Sequence, residues 1–495
     1  MMEMASSIFN SPVSFLHTML GDMRESPALR DFETWWEATG MAISTAVDHA
    51  GTPWVKVYDG RGERVDQIML PPDYRHMLNT GYKAGVVWRA FEQDIVTALQ
   101  FSYVSSYYDM GASCPYTVSL ATAAAVDKYA PSSVRDDFLG SLLLRDDAVW
   151  QGATWMTEIG GGSDLGASVK TRATLNDAKN GQWRLNGEKY FCSNANAELA
   201  VVAARTDDAP DGVRGLSLFL VPRYRDDGSL NVYLRRMKDK IATRSVPTGE
   251  IDFVNSEAYL LGEAHYGIYL IMEVLNLSRV CNAIGSIAVA QRALRDAYTF
   301  AKSRQVFGKA LIDQPLMRRQ FAEREAGLRQ GFALAWEAAQ LLQAVWREPA
   351  PNYSETFHLC RLVIHLAKYW TAEFAVQTAK WAMEVNGGIG TLQEFGVERW
   401  LREAMIADIW EGPPHRQMLD GLEVMERKKA HHLLLDSLAP YCEGDDLADM
   451  RARLDDHLLL PQDEKEAGML DIFPALAAFA GEALVRKMSG ERIPA

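Results

Sequence analysis

The apolar residues change period twice along this chain, and that constrains its fold more than any single motif. From Pro72 to Tyr129 they recur at spacings of three and four, so Trp88, Phe91, Ile95, Leu99 and Tyr103 fall on one predicted helix face. From about Val149 to Gly262 the pattern becomes short alternating runs. Ala200–Arg205, Leu216–Val221 (stopped by Pro222) and Ile251–Val254 read as strands, and Asn186-Gly187, Asp211-Gly212, Asp227-Gly228 and Thr248-Gly249 read as turns. Many short strands at this spacing predict a barrel or a sandwich. After His265 the helical period returns. Residues 268–304 carry Leu270, Val274, Leu277 and Cys281 on one stripe, and 315–347, 354–386 and 397–428 give three more long helices. Four such helices with short links predict a bundle. The fold class is therefore α+β, in the order helices, sheet, bundle.

The ends are less regular. Residues 1–55 read as short helical pieces between polar breaks, and Trp54–Asp59 as an edge strand or hairpin ending at Gly60. Residues 430–495 are acidic around Glu443–Asp446 and then helical again, an appended element. The expected division is an N-terminal extension over 1–59, a helical domain over 60–150, a β-domain over 151–265, a helical bundle over 266–428 and a helical extension over 429–495.

A chain of 495 residues is long enough for about two to four domains. Its net charge of −14 argues against general attraction to nucleic acid or anionic lipid. Cys114, Cys192, Cys281, Cys360 and Cys442 are scattered and form no C-x-x-C, which predicts reduced thiols and a cytoplasmic location. Met1–Leu20 lacks the basic start and cleavage site of a secretory signal. No window reaches the roughly 18 uninterrupted apolar residues of a spanning helix, and Phe473–Val485 is interrupted by Pro474, Gly481 and Glu482. A membrane role has no positive support.

Five segments carry chemistry. In Met156-Thr157-Glu158-Ile159-Gly160-Gly161-Gly162-Ser163-Asp164 consecutive glycines let several backbone N–H groups face one point, with hydroxyls from Thr157 and Ser163 beside them. The plainer reading is a turn with a helix cap at Ser163 or Asp164. It is neither a Rossmann fingerprint nor a Walker loop, because the spacing and the strand–helix context differ. In Tyr190–Asn194, strand alternation sends Phe191 and Ser193 to one face, a ring and a hydroxyl that could meet a planar cofactor; ordinary packing is the competing reading. Arg304–Lys309 closes a helix with a guanidinium suited to pyrophosphate, or simply ends it with Gly308 as a left-handed stop. Glu384-Val385-Asn386-Gly387-Gly388 ends another helix with glycines that permit close approach of a ligand. Finally, Trp410-Glu411-Gly412 presents a carboxylate beside an aromatic residue and a glycine. At a water-poor site Glu411 would have a raised pKa and could take a carbon-bound proton. The basic stretches Arg235–Arg244 and Arg427–His432 read as solvated faces, and the His and Cys spacing offers no metal site.

Taken in order, these segments resemble the acyl-CoA dehydrogenase family from about residue 60 to residue 428, and within it the AidB-like, alkylation-response branch. Phe219–Arg223, Arg236–Lys240, Trp410 and the N-terminal stretch with Val57-Tyr58-Asp59 carry the branch resemblance. The resemblance implies a helical domain, a β-domain and a four-helix bundle, FAD as cofactor, and a homodimer or homotetramer. It implies that Met156, Thr157, Gly162, Ser163, Phe191, Ser193 and Trp410 contact the flavin of the same subunit. It places Arg304, Phe307, Glu384, Gly387 and Gly388 at the FAD of a neighbouring subunit. Glu411 is the implied base, removing the α-proton of an acyl-CoA or related thioester while flavin N5 takes the β-hydride. Arg279, Trp410 and Gly412 line the substrate, and the bulk of Trp410 points to a short, branched or unusual acyl group. Pro413-Pro414-His415 departs from the polar flavin contacts usual after the base. The branch is linked to DNA through a basic C-terminal region; the tail here is acidic, so nucleic acid is unsupported as a partner. Two other readings stand beside the dehydrogenase: a stress-response flavoprotein that binds DNA or an acyl ligand with little turnover, and a flavin oxidase or monooxygenase on the same fold. The electron acceptor is left open.

Overall fold

The computed structural model describes residues 9–23, 25–178 and 181–493. Its N-terminal helices are α1 Pro12–Leu20, α2 Ser26–Trp35 and α3 Met41–Ala50, the last two joined by a π-turn. The predicted hairpin is present as β1 Trp54–Tyr58 paired antiparallel with β2 Arg64–Met69. Asp66, buried on β2, ties it to the β-domain by accepting from the Leu234 amide at 2.7 Å. Helices α4 Tyr74–Ala84, α5 Arg89–Glu92, α6 Ile95–Tyr108, α7 Met110–Tyr129 and α8 Ser132–Leu142 follow. The single stripe predicted from Trp88 to Tyr103 is in fact split between α5 and α6. The Asp94 carboxylate caps α6 by accepting from the Thr97 amide at 2.7 Å, and this ends the earlier turn.

The β-domain holds β3 Gly152–Trp155, a one-turn helix α9 Leu165–Ser168, and strands β4 Arg172–Asp177, β5 Gln182–Ser193, β6 Leu199–Thr206, β7 Ser217–Pro222, β8 Tyr233–Met237 and β9 Thr248–Leu261. The pairing β6–β4–β5–β9–β7 closes back onto β6, so the sheet is a barrel, with β3 added beside β6 and β8 beside β9. Every residue of β6 is buried, as expected for a strand with neighbours on both edges. Two expected turns lie inside strands. Asn186-Gly187 sits within β5 at a register shift where Gly187 takes φ 147°, and Thr248-Gly249 starts β9. Gly187 could not carry a side chain here, since a Cβ would lie 2.7 Å from the Thr171 backbone. Turn chemistry was read correctly as glycine-dependent, but the glycine serves a bulge and a close approach instead.

The bundle comprises α10 Gly267–Ser303, α11 Pro315–Val345, α12 Glu355–Asn386, α13 Val397–Ile409 and α14 Pro414–Lys428. The fourth predicted helix, 397–428, is thus two helices broken at Trp410–Pro413. Pro413 and Pro414 lack the amide donors that a continuous helix would use there. Between α10 and α11, β10 Gln305–Val306 and β11 Lys309–Ala310 form a small hairpin. Phe307 and Gly308 occupy its tip with φ 48° and 80°, so Gly308 serves a hairpin turn rather than a helix stop.

The C-terminal residues form α15 Ala430–Leu438, α16 Gly444–Leu458 and α17 Gln462–Ser489. This segment is integral to the bundle rather than appended. Phe473 is fully buried against Tyr369 and over Gly421, where a Cβ would lie 2.5 Å from its ring. Helix α17 is continuous through Pro474 and Gly481, and Phe473, Leu476, Ala477 and Ala480 are buried along it. By length and composition α10 and α17 are each long and apolar enough to cross a membrane; their most apolar windows are 83% and 50% buried within the fold. One apolar core runs through the helices and another fills the barrel, and a small cluster of Cys114, Val118 and Val246 with Trp410 lies at the junction between them.

Candidate active site

Glu411 lies in the break between α13 and α14, at that junction. Its φ of 60° is left-handed, a costly conformation for a residue with a side chain, and Gly412 follows at 99°. Buried side chains hold the turn through its main-chain oxygens. Arg279 Nε on α10 and Gln417 Nε2 on α14 each donate to the Glu411 oxygen at 2.9 Å, and Gln417 Nε2 also reaches the Gly412 oxygen at 2.9 Å. Arg279 Nη2 holds Asp420 Oδ2 at 3.0 Å, and His365 Nδ1 lies 2.9 Å from Gln417 Oε1. The open carbonyls at the end of α13 are met in the same way. Asn282 Nδ2 donates to the Ala407 oxygen at 3.1 Å, and Lys368 Nζ to the Asp408 oxygen at 2.6 Å.

The Glu411 carboxylate itself accepts no hydrogen bond from any described residue, while its backbone is fixed from two sides. Burial pushes this carboxyl up to about 7, against the opposing pull of the Arg279 and Lys368 cations. The same burial pushes the neighbouring Cys114 and Cys281 thiols up to about 12, with the Glu411 charge adding to it, so neither is a thiolate near neutral pH. Lys368 is drawn down to about 8 by its own burial.

The glycine-rich segment is anchored by Glu158. Its buried carboxylate accepts from Lys189 Nζ at 2.7 Å, the Lys170 amide at 2.7 Å, and the Thr171 amide and hydroxyl at 3.1 and 2.7 Å. Gly160–Asp164 project from this anchor and are exposed. Gly162 passes so close to Thr157 that a Cβ would lie 2.6 Å from its Oγ1. The cap predicted at Ser163 or Asp164 is Asp164, which accepts from the Ala167 amide at 3.1 Å. Met156 is buried and Thr157 half-buried.

Phe191 on β5 is 53% exposed, a large ring open to solvent on a strand. Ser193 is half-buried, with its hydroxyl 3.4 Å from Thr248 Oγ1. Lys240 Nζ donates to Thr248 Oγ1 at 3.1 Å and Thr243 Oγ1 at 3.2 Å. Burial draws this amine down to about 8. Neither Lys240 nor Thr243 is marked as a site residue by the sequence, where Arg235–Arg244 reads as a solvated face. Gln417, His365 and Lys368 carry no sequence signal at all, since only the packing of three helices brings them to Glu411.

Trp410 packs on Cys114, Val118 and Val246, beside the base. The remaining predicted residues stand apart from Glu411. Arg304 is exposed, Phe307 is 98% exposed at its hairpin tip, Glu384 pairs with Lys380 on the surface, and Gly387 and Gly388 are exposed at the end of α12. The first basic stretch is neutralised in place: Arg235 pairs with Glu188 and Asp252, and Arg236 and Lys238 pair with Glu250.

The arrangement is a half-buried base at the meeting of a barrel and a bundle. Comparison with known proteins identifies an oxidoreductase of the type that the sequence resembles. The chain matches "Adaptive response protein AidB N-terminal domain" over residues 13–146, "Acyl-CoA dehydrogenase, middle domain" over 153–256 and "Acyl-CoA dehydrogenase, C-terminal domain" over 265–425. It is 31% identical to the putative acyl-CoA dehydrogenase AidB of Escherichia coli over 500 residues, covering 92% of this chain and 88% of that one. It is 28% identical to acyl-CoA dehydrogenase family member 11 of Caenorhabditis elegans, covering 79% of this chain and 66% of the relative's length. The solved structure of Caenorhabditis elegans ACDH-11 in complex with C11-CoA shares the fold at a TM-score of 0.85 and 24% identity, covering 96% of this chain and 85% of that one. The protein belongs to the acyl-CoA dehydrogenase family and carries an AidB-type N-terminal domain.

Proposed function

We propose that this protein is an FAD-dependent acyl-CoA dehydrogenase in which Glu411 takes a proton from the carbon next to a thioester carbonyl. The observation that carries the reading is the state of Glu411: half-buried, free of hydrogen bonds at its carboxylate, raised to about 7 by desolvation, and set in a left-handed turn pinned by Arg279 and Gln417. A base with a pKa near the working pH balances having the right protonation state against the drive to take the proton. Fixing the backbone while leaving the carboxylate free keeps that group aimed without quenching it.

The residues around the site suit FAD. Phe191 offers an open ring face, Thr157, Ser193 and Thr248 offer hydroxyls, and Gly160–Ser163 offer backbone donors at a loop where Gly162 leaves no room for a Cβ. FAD, when bound, supplies the hydride acceptor. Lys240, held between Thr243 and Thr248, would favour negative charge developing on a group bound there. Arg304, Phe307, Glu384, Gly387 and Gly388, all exposed and apart from Glu411, fit contacts with a second copy of the chain. The names of the relatives support a CoA thioester as substrate. Arg235, Arg236 and Lys238 of the first basic stretch are paired within the barrel, which gives the DNA-binding reading no support from those three cations.

The test is anaerobic bleaching of the bound flavin by a panel of acyl-CoA thioesters, with Glu411→Gln as the control. Wild type should bleach with at least one thioester and the variant at least about a thousandfold more slowly, within the range that loss of a positioned base produces. Equal rates for both proteins would remove Glu411 from the role. Release of hydrogen peroxide in air at the rate of turnover would favour an oxidase.

A further inference from the structure

The C-terminal helices bring three metal-ligating side chains together. His431 and His432 sit in the first turn of α15, and Asp455 on α16 faces them. One ligand atom from each of the three lies within 4.8 Å of the other two. The second basic stretch, Arg427–His432, is therefore only in part the solvated face that its composition suggests, since His431 is 1% exposed. Spacing in the sequence does not show the group, because its third member comes from the next helix.

His431 Nε2 lies 3.4 Å from Asp455 Oδ1, and His432 Nε2 lies 3.6 Å from the same oxygen. Both distances exceed an ordinary N–H···O bond of about 2.7–3.2 Å. They match instead the spacing of two ligands on one tetrahedral ion. With zinc–nitrogen and zinc–oxygen bonds of about 2.0–2.2 Å, neighbouring ligand atoms stand about 3.3–3.6 Å apart. Successive residues of a helix point about 100° apart. Here the two rings nevertheless come within 4.1 Å of one another at their centroids and converge on one carboxylate.

The protons around the group can be arranged to leave two lone pairs for an ion. Burial pulls the His431 imidazole down to about 4, so near neutral pH the ring is uncharged. Its Nδ1 is buried and has no hydrogen-bond partner among the described residues. That nitrogen is unsatisfied in either tautomer, so placing the proton there and the lone pair on Nε2 breaks no good hydrogen bond. Two cations face the group: Lys429, whose charge reaches His431, and Arg451, whose Nη1 lies 3.2 Å from His432 Nδ1. Arg451 Nη2 donates to Asp436 Oδ1 at 2.6 Å. With an ion on His432 Nε2, the ring proton moves to Nδ1; Arg451, itself about one-third exposed, keeps Asp436 and turns Nη1 to water. His432 and Asp455 are also partly exposed, which gives the ion an entry path and room for a water as fourth ligand.

We propose that His431, His432 and Asp455 form a zinc site that clamps α15 to α16. Two neutral imidazoles and one carboxylate suit a borderline divalent ion such as zinc, whereas calcium and magnesium take shells of oxygen ligands that the group does not offer. The clamp would stiffen the connection between α14 and α17, the helix that buries Phe473 against Tyr369 of the bundle. This role is structural, and it stands apart from the reading of Glu411 as a base.

The experiment takes the full chain, strips it with a chelator and titrates it with zinc chloride by calorimetry. A parallel titration uses cobalt(II), whose visible absorption distinguishes tetrahedral from octahedral coordination. Asp455→Asn and His432→Gln are compared with wild type, with circular dichroism as the control for folding. Wild type should bind one zinc per chain, give a tetrahedral cobalt spectrum, and gain about 2 °C or more in melting temperature at saturating zinc. Each variant should bind zinc at least about tenfold more weakly and lose the gain. Equal affinity in wild type and both variants marks an adventitious ion only and overturns the proposal, as does failure of the wild type to bind zinc. Should the variants fail to fold, the wild-type cobalt spectrum decides alone, and an octahedral spectrum sinks the site. None of these outcomes touches the proposed reaction, which flavin bleaching tests separately.

Discussion

Arg279 donates its Nε–H to the main-chain oxygen of Glu411 at 2.9 Å and turns its Nη2 to Asp420 at 3.0 Å, so the arginine grips the backbone of the base rather than its carboxylate. This explains how one cation can hold the base in place and still leave it free to accept a proton. A bidentate ion pair to the carboxylate would have lowered its pKa and occupied its lone pairs. Arg279→Gln should therefore misplace Glu411 without removing it. Displacements on the order of 1 Å can cost about a hundredfold in rate, so kcat should fall by about that factor. The protein should still bind thioester, as read from the ligand-induced change in the flavin spectrum. A variant with unchanged kcat would mean that Gln417 alone holds the turn.

The position of the carboxyl near 7 fixes a direction for the pH dependence. Glu411 must be ionised to take a proton, so the bleaching rate should rise with pH through about 7 and then level off. Lys368, fully buried and bonded to the Asp408 oxygen at 2.6 Å, is one of two cations opposing that upward shift. Lys368→Met should move the rising limb to higher pH, whereas Glu411→Asp should change rate more than midpoint. Stopped-flow bleaching across pH 5.5–9.5 reads both, and an unmoved midpoint in Lys368→Met would show that its charge does not reach the base.

Glu158 and Lys189 form an ion pair at 2.7 Å in the β-domain, and both are buried. Four donors around Glu158 hold its carboxyl below the usual range, in spite of desolvation. A depressed carboxylate contributes stability that is present above its unfolded value of 4.5 and is lost as pH falls through its folded pKa. Acid should therefore loosen the glycine-rich loop before the bundle unfolds. Lys189→Met leaves the carboxylate buried without its cation, at a cost of about 3–5 kcal/mol. A fall in melting temperature together with faster flavin loss would be the expected pair of results. A fall in melting temperature with flavin retention unchanged would separate the ion pair from the loop.

Large-scale architecture was legible because it is written in hydrophobic period. Leu270, Val274, Leu277 and Cys281 are all buried on α10, and the alternating runs at 200–205 and 216–221 became β6 and β7. What failed was local punctuation. Gly187 and Gly249 look like turn residues in sequence, but their use is decided by what crosses over them, Thr171 in one case and Leu234 in the other. The break at Trp410–Pro413 was masked by good helical pattern on both sides, even though the two prolines mark it. Glu411 was visible as a base candidate, but its supporting residues come from positions 279, 365, 368 and 417, which no short motif joins.

Phe307 gives the last prediction. Its side chain is 98% exposed at the tip of a two-residue hairpin, and the backbone accepts φ 48° to put it there. A phenylalanine gains nothing from full exposure, and a bulky residue in the left-handed region pays in strain. Both costs are offset if the ring is buried against a second copy of the chain, next to the exposed Arg304 at the base of the hairpin. Phe307→Ser should then leave the fold of each subunit intact, because the ring touches no core residue within the chain. It should weaken self-association and speed loss of flavin. Light scattering at micromolar concentration, with circular dichroism as the control for folding, measures the first, and fluorescence of released flavin the second. An unchanged mass and unchanged flavin retention would assign the exposed ring to some other partner.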